Sequence, residues 1–579
     1  MNAEQLLQHF ERISEAPDAI KRLRRFILDL AVRGKLVEQD PSEEPASELV
    51  KRITAEKVML VKAGEIKKQK PLGALPESPF PIPSNWCWSQ LAEIGVLSPR
   101  NEAPDTLEVS FVPMPLIAAD YGVANQHEIR PWAEIKKGYT HFAEGDVGLA
   151  KITPCFENGK SSVFRNLTGG LGSGTTELYI VRPLFVNQDY ILLFLKSPHF
   201  IETGIPKMTG TAGQKRVPTN YFSNSPFPLP PLAEQHRIVA KVDELMSLCD
   251  QLEAAKTERE QCRDSLVAAS LQGLNQPAEE EETFREHARF TFNNLPKITT
   301  RAAHIKQLRQ TILNLAVRGK LVEQDPSDEP AEELLKKIAD KRTTLLKAGY
   351  PNLIEAKTQA KKLEEQAIPN AIQPLPMGWA WATLMQCSAL VVDCKNKTAP
   401  YASKGIRLIR TTNVRNGRLN LTDQKYVDQS TYESWSARCT PESRDILITR
   451  EAPMGEVCLI PPGEQICLGQ RMMLARLIPG TIDCNFMIYS LRDPKLMDRV
   501  QDKPVGATVQ HLRVGGVETL LVPLPPLAEQ QRIVAKVDEL MTICDQLEAQ
   551  ITATEQDSRR FLESVLADAL APGIECNHH

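Results

Sequence analysis

The 579-residue sequence has no uninterrupted apolar run of about 18 residues, the length needed to cross a bilayer, so no segment is expected to span a membrane. The start, MNAEQLLQHFERISEAPDAIKRLRRF, lacks the basic-then-apolar layout of a signal peptide, which points to the cytoplasm. Twelve cysteines are scattered without one C-x-x-C, and ten histidines are equally dispersed. They read as reduced, unliganded side chains, which argues against a disulfide framework or structural metal. There is no G-x-x-x-x-G-K-[ST], which excludes a P-loop ATPase. An Asp/Asn-Pro-Pro-aromatic element is missing too, as is a glycine-rich strand-to-helix loop for a methyl donor. No His-rich or paired-carboxylate constellation suggests a nuclease. The expectation is a chain with no catalytic, cofactor-binding or metal-binding residues of its own.

What is present is an ordinary globular composition, 42% hydrophobic and 25% charged. The length calls for roughly three to five domains. A formal charge of −4 disfavours nucleic acid at first sight, but net charge hides distribution. Residues Ala380 to Val522 hold 18 Lys+Arg against 14 Asp+Glu, whereas Cys87 to Phe227 hold 12 against 13. Those balances permit a DNA surface without requiring one.

The chain is written twice. PLPPLAEQHRIVAKVDELMSLCDQLEA, from Pro228 to Ala254, returns as PLPPLAEQQRIVAKVDELMTICDQLEA from Pro523 to Ala549. LAVRGKLVEQDPSEEPASEL (Leu30 to Leu49) returns as LAVRGKLVEQDPSDEPAEEL (Leu315 to Leu334), and IPSNWCW (from Ile82) is echoed by LPMGWAW (from Leu375). Two repeats this long predict a pseudo-twofold molecule rather than a solenoid. Pro228, Pro230 and Pro231 cannot donate to a ladder and should stop extended chain. A long helix follows, with Ile238, Leu245 and Leu252 every seven residues and Val242 and Cys249 between them. The second copy offers Ile533, Leu540, Leu547 and Phe561, with Val537, Cys544, Ile551 and Val565. This is a coiled-coil seam, predicting two paired helices of about 36 residues and about 54 Å. The alternative is two independent amphipathic helices, each packed on its own domain. Helices near 20–33 and 305–318 should end at Gly34 and Gly319. The lysine-rich stretch before Trp86 and the segment Asn275 to Thr300, with its Glu279–Glu282 run, read as solvated linkers.

Between tryptophan and proline, each half carries about 140 variable residues with short β-like runs broken by Gly and Pro, a mixed α/β pattern. Their loops combine Lys and Arg with Asn, Gln, Thr and Gly: AKITPCFENGKSS and TGTAGQKR in the first half, RTTNVRNGR, TREAPMGE and GQRMM in the second. Arg or Lys can donate twice to guanine, and Asn or Gln can pair bidentately with adenine. Hydroxyls and freed backbone N–H groups can hold phosphates. The candidate DNA-binding residues are Lys151, Asn158, Lys160, Thr209, Gln214, Lys215 and Arg216, then Arg410, Thr412, Asn413, Arg450, Gln470 and Arg471. Ordinary solvated turns, or internal ion pairs at Arg410 and Arg471, are the competing reading.

The duplicated PLPPLAEQ-RIVAKVDEL and LAVRGKLV-QDP blocks, with AKITPCFENGK and ITREAPMGE between them, resemble the specificity subunit of type I DNA restriction-modification systems across essentially the whole chain. The resemblance implies two mixed α/β target recognition domains separated by long antiparallel coiled-coil helices, each domain reading one part of a split, asymmetric double-stranded DNA site. It also implies docking of two adenine-methyltransferase subunits and of restriction/translocase subunits, with Ile238, Val242, Leu245, Leu252, Ile533, Val537, Leu540 and Leu547 as the seam. S-adenosylmethionine, ATP and Mg are then expected in the partners and none in this chain. The expected domains are residues 1–84 (helical), 85–231 (first recognition domain), 232–275 (long helix), 276–377 (linker and repeated helical region), 378–526 (second recognition domain) and 527–571 (long helix). A methylation-only or phage-defence relative, a coiled-coil scaffold for proteins alone, and a catalytic chain with an unfamiliar site remain as alternatives.

Overall fold

The computed structural model describes residues 16, 18–67, 72, 75, 78–211, 213–275, 281–370, 372–505 and 510–570. It divides into two compact units: one runs up to Glu260 and resumes at Ala553, the other is Gln261–Thr552. Each unit contains one pair of the duplicated helices. Ala19–Val32 and Ala46–Lys62 lead the first; Ala302–Val317 and Ala331–Lys347 are their counterparts. Gly34 and Gly319 follow the leading helices at φ +67° and +64°, a left-handed turn that suits glycine.

Each variable stretch is a mixed α/β domain closed by the same clasp. In the first unit, Cys87–Gln90 pairs antiparallel with Pro226–Leu229, placing Trp88 opposite Pro228. In the second, Ala380–Thr383 pairs with Leu521–Leu524, placing Trp381 opposite Pro523. Pro228 therefore lies inside an extended strand, while Pro230 and Pro231 follow its end at Leu229, as expected, and lead into the long helix. A two-stranded ribbon leaves each strand one open edge, where a missing N–H costs nothing.

Above the clasp both domains repeat one scaffold. Gly95–Leu97, Leu178–Pro183, Val147–Ala150 and Ser161–Val163 form one four-stranded sheet, in that order; Leu390–Asp393, Met472–Arg476, Ile446–Thr449 and Val457–Leu459 form its equivalent. A second sheet in each domain has a parallel pair at its heart, Glu108–Val112 beside Leu171–Gly174 and Ile406–Ile409 beside Ile466–Leu468. An arginine paired with a buried aspartate braces the first sheet in both. Arg182 grips Asp146 through two contacts of 2.9 Å, and Arg476 grips Asp445 at 2.7 and 2.6 Å.

The long helices are Leu232–Asn275 and Leu527–Leu570, 44 residues each. At 1.5 Å per residue that is about 66 Å, longer than the seam alone suggests. The unit boundary falls inside both. In the first unit, Leu562 and Val565 from the end of the second helix share a buried cluster with Val242, Leu245, Met246 and Cys249 from the start of the first. In the second unit, Val267, Leu271 and Leu274 from the end of the first helix share one with Ile533, Val537, Leu540 and Cys544. Each unit thus combines the start of one helix with the end of the other, the antiparallel arrangement.

The seam residues are also core of their own units. Ile238, Val242 and Leu245 lie in a cluster with Leu23 and Ile27 of the leading helix and Tyr190 and Phe194 of the mixed α/β domain, and Leu252 packs at its margin. Ile533, Val537 and Leu540 sit with Ile305, Ile312, Phe486 and Met487, with Leu547 at the margin. The two sequence alternatives, paired helices and helices packed on their own domains, therefore coexist along the same helix.

The expected linker between the halves differs from the structure. Glu281–Ile298 is a helix, and Phe284, Ala288, Leu295 and Ile298 pack onto the second unit's core. The helical spacing of those residues was masked by the acidic run ahead of it, of which Glu279 and Glu280 lie outside the described residues. Part of the lysine-rich stretch also lies outside them, but its end is anchored: Phe80 packs edge-on against Trp88 beneath the Arg33 guanidinium.

Candidate nucleic-acid interface

The loops that leave the first sheet carry most of the candidate residues, and in each domain they converge. In the first domain, the strand ending at Ala150 runs into Lys151–Lys160. The hairpin Thr209–Arg216 is laid against that segment. Thr209 and Arg216 exchange backbone hydrogen bonds of 3.0 and 2.8 Å, Thr153 N–H donates to Lys215 O (2.9 Å), and Lys215 N–H donates to Thr153 Oγ1 (3.1 Å). Val217 N–H closes the junction on Lys151 O at 2.8 Å. Lys151 Nζ lies 5.1 Å from the centroid of the Tyr179 ring, whose hydroxyl donates to Val217 O.

Among the candidates here, Asn158, Thr209, Gln214 and Lys215 are exposed. Lys160 turns inward and donates to Met114 O at 3.2 Å. Arg216 is occupied by Glu177, which accepts at 2.9 and 2.8 Å; those hydrogen bonds hold the Glu177 carboxyl below the usual carboxylate range. Arg216 therefore stiffens the hairpin while Gln214 and Lys215 project from it.

The second domain repeats the construction. Thr449 ends the equivalent strand, and Arg450 accepts from Leu512 N–H through its carbonyl at 2.9 Å, the counterpart of the Lys151–Val217 link. Arg450 N–H donates to Arg471 O (2.9 Å), bringing the 449–456 and 469–471 loops together. The Arg450 side chain is buried, at 6% exposure, so it belongs to the scaffold rather than the outer surface. Asn413 is likewise buried. Its carboxamide accepts from Arg410 N–H (3.0 Å) and donates to Asn420 O (2.9 Å) and Asp423 O (3.2 Å), clipping the loop shut. Arg410 donates to Asp423 Oδ2 at 2.6 Å and lowers its carboxyl pKa, the internal ion pair the sequence left open. Arg471, left-handed at φ +64°, has Nε 3.3 Å from Glu451. Thr412 and Gln470 are exposed, the latter accepting from Thr398 Oγ1 at 3.2 Å.

The structure adds residues that the sequence reading missed. Gln510 is exposed beside His511, which exchanges backbone bonds with Val505 as Arg216 does with Thr209. The signal was present: TGTAGQK and VGATVQH share a glycine, three residues, a glutamine and a basic or imidazole side chain. Residues 506–509 of the second copy lie outside the described residues. Arg418, exposed in the 410–423 loop, is the other addition.

The duplicated blocks meet elsewhere, at the base of each domain. Gln39 Nε2 donates to Glu234 (2.8 Å), and Gln324 Nε2 donates to Glu529 (3.1 Å), which also accepts from Trp379 Nε1 at 2.9 Å. Burial raises the pKa of both carboxyls. Gln235 ties Pro230 O to Asn187 N–H, and Gln530 ties Pro525 O to Asp483 N–H, all at 2.9 Å. Arg237 pairs with Glu43, and Arg532 with Asp328. The near-identity of the repeats is thus largely an internal requirement, because the blocks pack on one another.

Among the described residues, no cluster of three or more His, Cys, Asp or Glu could hold a metal ion, and no helix is long and apolar enough to cross a membrane.

Duplicated scaffolds with exposed polar loops, joined to duplicated long helices, define a two-headed recognition protein, and comparison with known proteins gives its family: the chain belongs to the specificity subunits of type I restriction-modification enzymes. Residues 395–554 match the model of the type I restriction modification DNA specificity domain. The chain is 40% identical over 560 residues to the EcoAI specificity subunit of Escherichia coli, covering 95% of this chain and 93% of that one. It is 39% identical over 566 residues to the EcoEI specificity subunit, also of Escherichia coli, with the same coverage. The crystal structure of the HsdS subunit from Thermoanaerobacter tengcongensis aligns with TM-score 0.44 and 18% identity over 85% of this chain and 98% of that one.

Proposed function

We propose that the chain, the DNA-recognition component of a type I system, reads a split, asymmetric double-stranded DNA site with one recognition domain per half. Two adenine-methylating subunits dock on it, and restriction/translocase subunits join them. S-adenosylmethionine, ATP and Mg are used in those partners, and this chain contributes no catalysis. The observation that carries this reading is the contrast between a repeated scaffold and different exposed side chains. Asn158, Thr209, Gln214 and Lys215 project in one domain; Thr412, Arg418, Gln470 and Gln510 project in the other. Side chains of these types read base edges and fix phosphates, and differing sets imply different half-sites.

Docking of identical partners is supported by identical outer surface. Lys241 pairs with Glu244 and Lys536 with Glu539, each at 2.9 Å, at matching exposed places on the repeated helices. The buried seam is unavailable for that purpose. Co-expression with the neighbouring subunits, followed by mapping of methylated adenines, tests the proposal. A single bipartite motif with adenine in both halves is expected. Binding or methylation without sequence preference would contradict it.

A further inference from the structure

Lys196 is an unusual side chain to find inside a recognition domain. It ends the helix Gln188–Lys196 and is 9% exposed. Its Nζ donates to Ala119 O at 2.7 Å and Gly159 O at 3.1 Å, with Ala118 O at 3.5 Å. All three acceptors are neutral carbonyls, and the one acidic neighbour, Asp120, is exposed and acts only through space. Burying an ammonium without a bonded carboxylate is unfavourable, and desolvation pushes this amine down to about 7. An apolar side chain of equal length would avoid that cost. What the ammonium accomplishes is a tie: it joins the turn that follows the central parallel strand to the 151–160 loop. Lys160, donating to Met114 O, adds a second stitch between the same two segments.

The second domain puts a cation at the matching place. Its equivalent helix, Cys484–Leu491, starts from the N-cap Asp483 as the first starts from Asn187, and both N-cap N–H groups donate to a repeated glutamine. Counting on from each cap, Arg492 stands where Lys196 stands. Its guanidinium lies under Gly417, at φ +81°, so closely that a Cβ there would come within 2.8 Å of Nη1 and 2.9 Å of Cζ. Gly417 belongs to the loop that follows the second domain's central parallel strand, and Asn416 N–H bonds that loop to Glu456 in the 449–456 loop at 2.8 Å. Burial lowers the Arg492 pKa as it does that of Lys196; the charged neighbours are Glu456, Arg418 and Arg309, and the titratable Tyr489 phenol is close by.

We propose that Lys196 and Arg492 are positioning residues for DNA readout. Each braces, from beneath, a loop that presents base-reading side chains in its own domain: Lys196 ties the 151–160 loop to the turn after the central parallel strand, and Arg492 underlies the 410–423 loop. In the second domain the Arg492 guanidinium also fixes a positive charge under that surface, which raises the local potential where phosphates approach. Loss of either cation should loosen discrimination at one half-site and leave the other intact. This inference rests on the DNA-reading role proposed above.

The test uses the complete modification complex and a DNA library randomised at both half-sites, with methylation as readout. K196M should lose roughly ten-fold in discrimination at one half-site, the scale of one base contact, with the second unchanged. K196R should restore most of it, and R492M should give the mirror result. Should K196M yield no soluble complex, K196Q, which keeps N–H donors without the charge, carries the same test. An unchanged motif in K196M, or equal loss at both half-sites, overturns the positioning role. Q214A/K215A in parallel separates the two ideas. If that variant alters the motif while K196M does not, the DNA reading stands and the bracing fails. If neither alters it, the assignment of DNA reading to these loops fails as well.

Discussion

Replacing Gly34 or Gly319 with alanine tests whether the duplicated blocks are held alike by internal packing. Gly34, at φ +67°, faces Pro83 and Trp86; a Cβ would stand 2.5 Å from Pro83 Cγ, 2.6 Å from Cδ and 3.2 Å from Trp86 Cζ2. Gly319, at φ +64°, faces Pro376 Cγ at 2.5 Å and Trp379 Cζ2 at 3.2 Å. Alanine in the left-handed region costs about 1–2 kcal/mol. Forcing a methyl against a rigid pyrrolidine ring and a buried indole costs about 1–3 kcal/mol more. Each single variant should therefore destabilise its own unit by about 2–5 kcal/mol, and by nearly equal amounts because the geometry is the same. For units of this size that is a fall in melting temperature of roughly 5–15 °C. Scanning calorimetry on the full chain reads it directly. A loss below about 1 kcal/mol in either variant, or costs differing by more than about 2 kcal/mol, would refute the reasoning.

Three further outcomes follow from particular contacts. Leu245→Asp and Leu540→Asp place a carboxylate in the core of their own units, and each should cost several kcal/mol; limited proteolysis should show the unit containing the substitution opening first. Lys196 is protonated up to about pH 10.5 when unfolded but only to about 7 when folded, so the unfolded chain binds more protons between those values. Its penalty is full below pH 7 and fades as pH rises, so the first unit should gain stability from pH 7 to 9 more steeply than in Lys196→Gln, by thermal melts at matched ionic strength. Finally, Glu177→Gln releases one charge-assisted pair at an exposed site, so it should leave the melting temperature nearly unchanged while relaxing selectivity at one half-site, seen in the methylation pattern.

The repeats, the long helices and the α/β character were legible because each leaves a local signature: near-identical text, a seven-residue apolar period, short β-like runs between Gly and Pro. The helix Glu281–Ile298 was hidden because its apolar stripe is sparse and sits behind a run of acidic residues. Pro230 and Pro231 mark the end of the strand as expected, but Pro228 misled because a missing donor forbids a central strand and not one edge of a two-stranded clasp. At the candidate interface, loop identity was readable but side-chain direction was not. Asn413 and Gln214 look alike in sequence. One is consumed by Arg410, Asn420 and Asp423, and the other is exposed, because partners three to ten residues away in the loop decide which polar group is spent internally. The seam residues were correctly seen as apolar faces, yet what they cover includes leading helices that no heptad pattern could indicate.

Independence of the two readers is the central claim, and a domain exchange tests it most directly. The clasp gives natural borders: Cys87 to Leu229 leaves and returns to the scaffold through one antiparallel ribbon, so a related domain can be grafted there without disturbing the Glu234–Gln39 contact below. With the exchanged chain assembled with its methylating partners, mapping of methylated adenines should show one half of the motif replaced and the other half retained. Changes in both halves, or in neither, would contradict the account.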